Sequence, residues 1–156
     1  MANLKELADE MAKLKKQFET VLSVSDYYNC EDLSGLDDYM QINTAEQWQQ
    51  LEEFRHILNQ IDEIESTLAY LERPIQEVSR IYINGTGRYE TGKGHYYVSG
   101  SGIEFLRNEK VYNYGEDIWE TVGIWTCSRV ESRDGKYYIV GHPDVEMSGL
   151  TVRVRG

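Results

Sequence analysis

The sequence predicts an α+β protein: an N-terminal antiparallel helical hairpin, coiled-coil-like, followed by a small all-β barrel, SH3-like or similar. Three observations predict it. Two apolar stripes with helical spacing occupy the first half, Pro74 ends that pattern, and short β-branched and aromatic runs punctuated by glycine follow it. The expected units are a helical hairpin over 1–73, with an acidic connection over 23–43, and a β unit over 76–156.

Leu4, Leu7, Met11, Leu14, Phe18 and Val21 recur at alternating steps of three and four, which places them on one stripe of a helix. A second stripe runs through Leu51, Phe54, Leu58, Ile61, Ile64, Leu68 and Leu71, flanked by Trp48 and Ile57. Thr44 with Gln47 forms a capping-box pattern at its start. Pro74 supplies its stop, because the residue before a proline is biased out of the helical region. Neither helix can bury its narrow seam alone. An antiparallel hairpin answers that need, and a second chain would double it into a four-helix bundle, making a homo-oligomer one expected partner.

The connection holds Asp26, Glu31, Asp32, Asp37 and Asp38 with no Lys or Arg. A helix–loop–helix calcium site needs ligands at alternate positions and a closing glutamate. Adjacent acidic pairs do not supply that pattern. A solvated loop is expected instead, with a short helix over Leu36 to Met40.

In the second half, Ile81 to Ile83 ends at the turn pair Asn84-Gly85. Arg88 to Glu90, Tyr96 to Val98 and Ile103 to Leu106 read as short strands, and Lys110 to Asp117 as a loop. Trp125 to Glu131, Asp134-Gly135 and Lys136 to Val140 form the clearest hairpin. A two-residue turn there sets Val130 opposite Ile139 on the face of Tyr137, with Arg129, Glu131 and Tyr138 pointing the other way. The closing segment alternates Leu150, Val152 and Val154 with Thr151, Arg153 and Arg155, a half-buried strand with its arginines on the wet face. Five or six short strands imply a small barrel or sandwich.

Of the 156 residues, 40% are hydrophobic and 28% charged, a composition that supports a packed core and argues against disorder. No apolar run approaches the ~18 residues of a bilayer span, and Met1 to Lys16 lacks an export signal, so a cytoplasmic address without membrane contact is expected. Cys30 and Cys127 form neither a disulfide framework nor a zinc pair. The net charge of −11 is uneven: Met1 to Ile75 holds 6 Lys+Arg against 16 Asp+Glu, and Gln76 to Gly156 holds 10 against 11. That field disfavours phosphate backbones and favours basic partners or plain solubility.

Gly87 to Gly94 has the Gly-x4-Gly-Lys spacing of a phosphate loop. Gly94 replaces the required hydroxyl, and a strand follows where a helix should begin. A glycine-rich hairpin turn is expected there. His95, Cys127 and His142 lack local metal-ligand spacing. Ser99 and Ser101 lack a nucleophile elbow. No acid, base and nucleophile come together, so no enzyme activity, catalytic residue, cofactor or metal is expected.

Aromatic residues carry more information. The β half holds eight tyrosines and two tryptophans, more than one inner face of a small barrel takes. Outward rings serve peptide or base recognition. The expected interaction surface consists of Tyr112, Tyr114, Trp119 and Tyr138, with Arg129 and Arg153.

The ordered runs Gly87-Arg88-Tyr89-Glu90, Tyr97-Val98-Ser99-Gly100, Ile103-Glu104, Trp125, Ser128-Arg129-Val130-Glu131, Lys136 to Gly141 and Gly149 to Arg155 resemble the bacterial domain-of-unknown-function 5348 family. The resemblance covers about the last 70 residues and omits the acidic helical half; Lys110 to Glu120 is longer than the family pattern. It implies an origin in low-GC Gram-positive bacteria and an accessory role beside phage or conjugative-element genes. It implies no activity, cofactor or binding residue. The leading expectation is therefore a non-enzymatic protein–protein interaction or adaptor module that takes a protein or peptide. Two alternatives stand beside it. One is nucleic-acid binding through Arg107, Arg129, Arg133, Arg153 and Arg155 with stacking tyrosines. The other is an acidic half that mimics nucleic acid and occupies a DNA-binding protein.

Overall fold

A computed structural model describes residues 3–37 and 39–156, so Asp38 of the acidic connection lies outside the described residues. The chain divides into two compact units, Met1–Arg73 and Pro74–Gly156. Two helices precede a mostly antiparallel β region, which makes the fold α+β.

In the first unit, α1 spans Leu4–Val24 and α2 spans Ala45–Glu72. Asn3 caps α1 through a reciprocal box: its side chain accepts from the Glu6 amide, and Glu6 accepts from the Asn3 amide. Thr44 and Gln47 do the same for α2. Arg73 is extended, at φ −63° and ψ 136°, as the following proline requires. The helices run antiparallel, since Lys15 of α1 reaches Glu72 near the end of α2 while Tyr27, just past α1, donates to Asn59 at 2.5 Å.

The connection is more than a solvated loop. Tyr27 and Leu33 are buried with Leu22, Leu51 and Leu58 in the core of the unit. Asp26 and Leu33 take positive φ to make the necessary turns. The expected short helix is a single 3-10 turn, Tyr39–Gln41. Asp32 accepts from the Cys30 thiol and from the Ser34 amide, and these bonds hold its carboxyl down at about 2.

The second unit has eight strands in two sheets. Its five-stranded sheet has the order β1-β8-β5-β6-β7: Ile75–Arg80, Thr151–Arg155, Gly102–Asn113, Ile118–Arg133 and Lys136–Ile139. Its three-stranded sheet orders β2 (Tyr82–Ile83), β3 (Tyr89–Glu90) and β4 (Tyr96–Tyr97) in sequence. The expected SH3-like barrel goes further than these ladders, because β1 and β7 are edges and neither sheet closes on itself. Ile81, Tyr97, Phe105, Val130, Ile139 and Val152 are fully or almost fully buried at the centre of the core. Fully burying side chains of this size stabilises the unit by roughly 1.5–3 kcal/mol each.

The β6–β7 hairpin has the expected register, Val130 opposite Ile139 and Arg133 opposite Lys136. Asp134 and Gly135, at φ 51° and 75°, make its two-residue turn. The Thr91–Gly94 run closes the β3–β4 hairpin. Between β2 and β3 the turn is longer than Asn84-Gly85: the Asn84 side chain accepts from Thr86 and Arg88, and Gly87 takes the positive φ. Glu77 staples β1 to the β3–β4 turn. It is buried and accepts from the Ser79 and Thr91 hydroxyls and the Lys93 amide. Burial alone would push its carboxyl up, but the three donors prevail and hold it below the ordinary value.

Candidate functional site

Lys110 to Asn113 are strand residues, where the sequence reading expected a loop, and only Tyr114 to Asp117 turn. The β5–β6 ladder therefore runs without a break from Gly102/Arg129 to Asn113/Ile118. Its neighbours are much shorter. β8 pairs with β5 only at Glu104 and Phe105, and β7 pairs with β6 only from Val130 onward. Beyond those points, Leu106–Asn113 and Ile118–Trp125 form a two-stranded arm. A two-stranded ribbon is marginal in water without further packing.

Side chains alternate between faces along each strand, so the register sorts the candidate residues. Phe105, Val130, Ile139 and Val152 define the inner, core face. Tyr112, Trp119, Arg129, Tyr138 and Arg153 all fall on the outer face. Tyr114 sits in the turn at the tip. The structure thus brings five of the six candidates to one side of one sheet, and the sixth to its end.

The near-neutral total of the β unit conceals a polarity. On the outer face stand Arg80, Lys110, Arg129, Arg133, Lys136, Arg153 and Arg155, against two carboxylates, Glu104 and Glu131. Arg153 and Arg155 are not on a wet face, as alternation alone had predicted. Both guanidiniums hold Glu104, whose side chain is 2% exposed, with the Arg155 bond at 2.9 Å. A carboxylate desolvated in this way requires close, hydrogen-bonded counter-charges. Arg153 also lies 4.5 Å from the ring centre of Trp125. Arg129 is the more open cation, paired with Glu131 at 3.2 Å.

At the tip, the Tyr112 ring meets Tyr114 at 4.9 Å and Trp119 at 5.3 Å, both edge-on. Tyr112 donates to the Asp117 carboxylate, and this bond, with some burial, raises its phenol. Asn113 accepts from the amides of Gly115 and Glu116, which shapes the turn. Tyr114 is 90% exposed and Trp119 68%. Gly123 keeps the arm's outer face low where Leu106 crosses it: a Cβ would stand 3.2 Å from the Leu106 side chain.

The backbone edge of β6 can be read as well. Arg129 turns its carbonyl toward β7, where it accepts from Val140, while Val130 exchanges bonds with Gly100 and Ser101 on the other side. Alternate residues of an antiparallel strand aim their N–H and C=O at the same edge. Trp119, Thr121, Gly123 and Trp125 therefore aim theirs away from β5, where no strand pairs among the described residues. The opposite edge of the arm carries Lys110, a residue type that blunts strand edges. The β6 edge carries no charge at these four positions.

Other groups serve the fold. His95 packs on Tyr97, His142 on Phe105, and Cys127 lies on the outer face. Among the described residues no three His, Cys, Asp or Glu converge on a metal position. Ser99 donates to Glu131, and the Ser101 hydroxyl accepts from the Val98 amide. No helix of the described residues is long and apolar enough to cross a membrane. Glu104 and Trp125 were not singled out from the sequence as site residues. Their signal was present in parity, since Glu104 shares its face with the two arginines of β8.

No curated protein and no solved structure matches the chain. Residues 78–154 match the family described as Domain of unknown function (DUF5348). The match ends inside β8 and takes in the whole arm, while the helical unit lies outside it. The similarity to the DUF5348 family thus covers the β unit, just under half of the chain.

Proposed function

We propose that this chain is a non-enzymatic adaptor whose β unit binds an extended segment of a partner protein along the β6 edge of its arm. The observation that carries the reading is the open β6 edge, uncharged at its outward positions Trp119, Thr121, Gly123 and Trp125, on a ribbon that extends past its sheet. Strand addition supplies main-chain hydrogen bonds for affinity and alternate side-chain contacts for specificity. Trp119 and Trp125 would flank the added strand, and the basic outer face favours acidic side chains on it. An accessory role beside mobile-element genes, implied by the family resemblance, fits a module of this kind.

The test starts with capture from a nuclease-treated low-GC Gram-positive lysate by tagged full-length protein. The recovered protein is then followed by amide exchange. Binding should slow exchange at the outward amides of Trp119, Thr121, Gly123 and Trp125. Thr121→Pro removes one outward N–H and no ladder bond, so it should abolish capture while the β unit stays folded. Capture that is indifferent to Thr121→Pro and to Trp119→Ala sinks the reading.

Nucleic acid is the second reading, favoured by the seven basic residues on one face. Two of them are committed to Glu104, which leaves fewer for phosphates. Recovery that collapses with nuclease, and binding that falls steeply with salt, would select it.

A further inference from the structure

The helical unit leaves much of its apolar surface open. Leu4, Leu7, Met11, Leu14 and Val21 of α1 are each at least 36% exposed, and Phe54, Ile57, Ile64 and Leu71 of α2 at least 46%. A two-helix coiled coil closed on its own seam would bury such residues. With Phe18, Ile61 and Leu68 they form two matching series, 4-7-11-14-18-21 and 54-57-61-64-68-71, each stepping by three and four. Both series open to one side. An apolar groove of about 470 Å³ lies between them near Val21, Phe54 and Ile57. Another of about 300 Å³ lies near Leu7, Met11, Leu68 and Leu71.

The flanks of these seams differ. On the side where α1 and α2 meet, steps of seven give Lys15 and Leu22 on α1, and Leu58, Glu65 and Glu72 on α2. Leu22 and Leu58 are buried there, and Lys15 pairs with Glu72 at 3.0 Å. On the far flanks, steps of seven give Glu10 and Gln17 on α1, and Glu53, Gln60 and Thr67 on α2. Glu10 is already paired with Lys13 at 2.6 Å. The middle of each outer flank is thus uncharged, although the unit as a whole is strongly acidic.

We propose that a second copy of this chain covers the trough, hairpin against hairpin, as an isologous four-helix bundle. Two open seams of equal length match themselves under a two-fold axis. Gln17 and Gln60 at the middle of the far flanks, with Glu10 already neutralised by Lys13, lower the repulsion between two acidic units. The area suffices: Leu4 to Val21 spans about 25 Å, two helices are about 20 Å wide, and the footprint is about 500 Å² per copy. Both copies together reach the roughly 1,000 Å² that a specific interface needs. The proposal stands apart from the strand-addition reading, since it uses none of the β unit.

Sedimentation equilibrium of the full chain tests it. The expected mass is twice the 18.1 kDa of one chain. Leu7→Glu with Ile64→Glu changes two exposed seam positions, so helicity by circular dichroism should persist while dimer affinity falls at least about 100-fold. Gln17→Glu with Gln60→Glu leaves the apolar seam intact and should weaken the dimer in a salt-dependent way. Thr121→Pro should leave the dimer unchanged, which separates failure here from failure of the strand-addition reading. A chain that stays at 18.1 kDa up to about 100 μM overturns the proposal. So does a larger assembly, or a dimer that tolerates the seam variant with its helices intact.

Discussion

Replacing Glu104 by alanine should unfold the β unit more readily than any surface change in it. The side chain is 2% exposed, and those of Arg153 and Arg155 are 16% and 9% exposed. Alanine leaves both guanidiniums largely desolvated and removes the carboxylate that both of them hold. Breaking a buried pair by removing one partner costs about 3–5 kcal/mol. Arg153 has little to fall back on, because its Nε already lacks a hydrogen-bond partner among the described residues. A single domain is stable by only about 5–15 kcal/mol, so the loss is a large share of the whole. For a unit of this size, each kcal/mol moves the melting temperature by about 4–8 °C, giving a drop of more than about 10 °C. Urea unfolding followed by the fluorescence of Trp125, which contacts Arg153, reads the loss at the site. A rescue is expected as well. Glu104→Leu with Arg153→Met and Arg155→Met removes every buried charge of the cluster and should recover most of the stability. An alanine variant within about 1 kcal/mol of the parent, or a triple variant worse than the single one, would falsify the account of a buried ionic cluster.

Two further outcomes follow from local geometry. Gly135→Ala places a Cβ at φ 75° in the β6–β7 turn and should cost about 1–2 kcal/mol, read as a lower urea midpoint; Gly135→Asn should cost less. Glu77 has a folded value held below its unfolded one, so its contribution is present above the ordinary value near 4.5 and is lost as pH falls through the folded value. Glu77→Gln should therefore lower stability at neutral pH by about 1–3 kcal/mol and flatten its decline on acidification; equal acid slopes in the two proteins would refute the assignment.

Where the fold was legible, one local signal outweighed its competitors. The ends of α2 could be read from Thr44, Gln47 and Pro74 because caps and prolines act within a few residues. The β6–β7 register could be read because Asp134-Gly135 fixes it at short range. The connection was read as solvated because its acids dominate the composition. Tyr27 and Leu33 are single apolar residues between them, with no periodicity to mark burial. The α2 stripe was read with Leu51 and Leu58 in it and Ile57 beside it, and Leu51 and Leu58 are its buried residues while Ile57 stays exposed. Both leucines lie beside the 54-57-61-64-68-71 series and turn toward α1.

The arm was hidden by its own chemistry. Between Leu106 and Trp125 the sequence mixes charged, polar and aromatic residues with Gly115 and Gly123, and a half-buried strand would show clean alternation. That alternation fails because the distal ladder has no core on either side to select for it. The absence of a strand signal and the presence of exposed aromatic rings therefore share one cause. A ribbon this long is held by its ladder and by contacts such as Tyr112 with Trp119, and the rings of Tyr114 and Trp119 stay exposed. The aromatic residues were found from the sequence because their number exceeds what a small core can take. Their grouping on one face required the register, which converts a scattered set of candidates into a single surface beside the uncharged outward positions of the β6 edge.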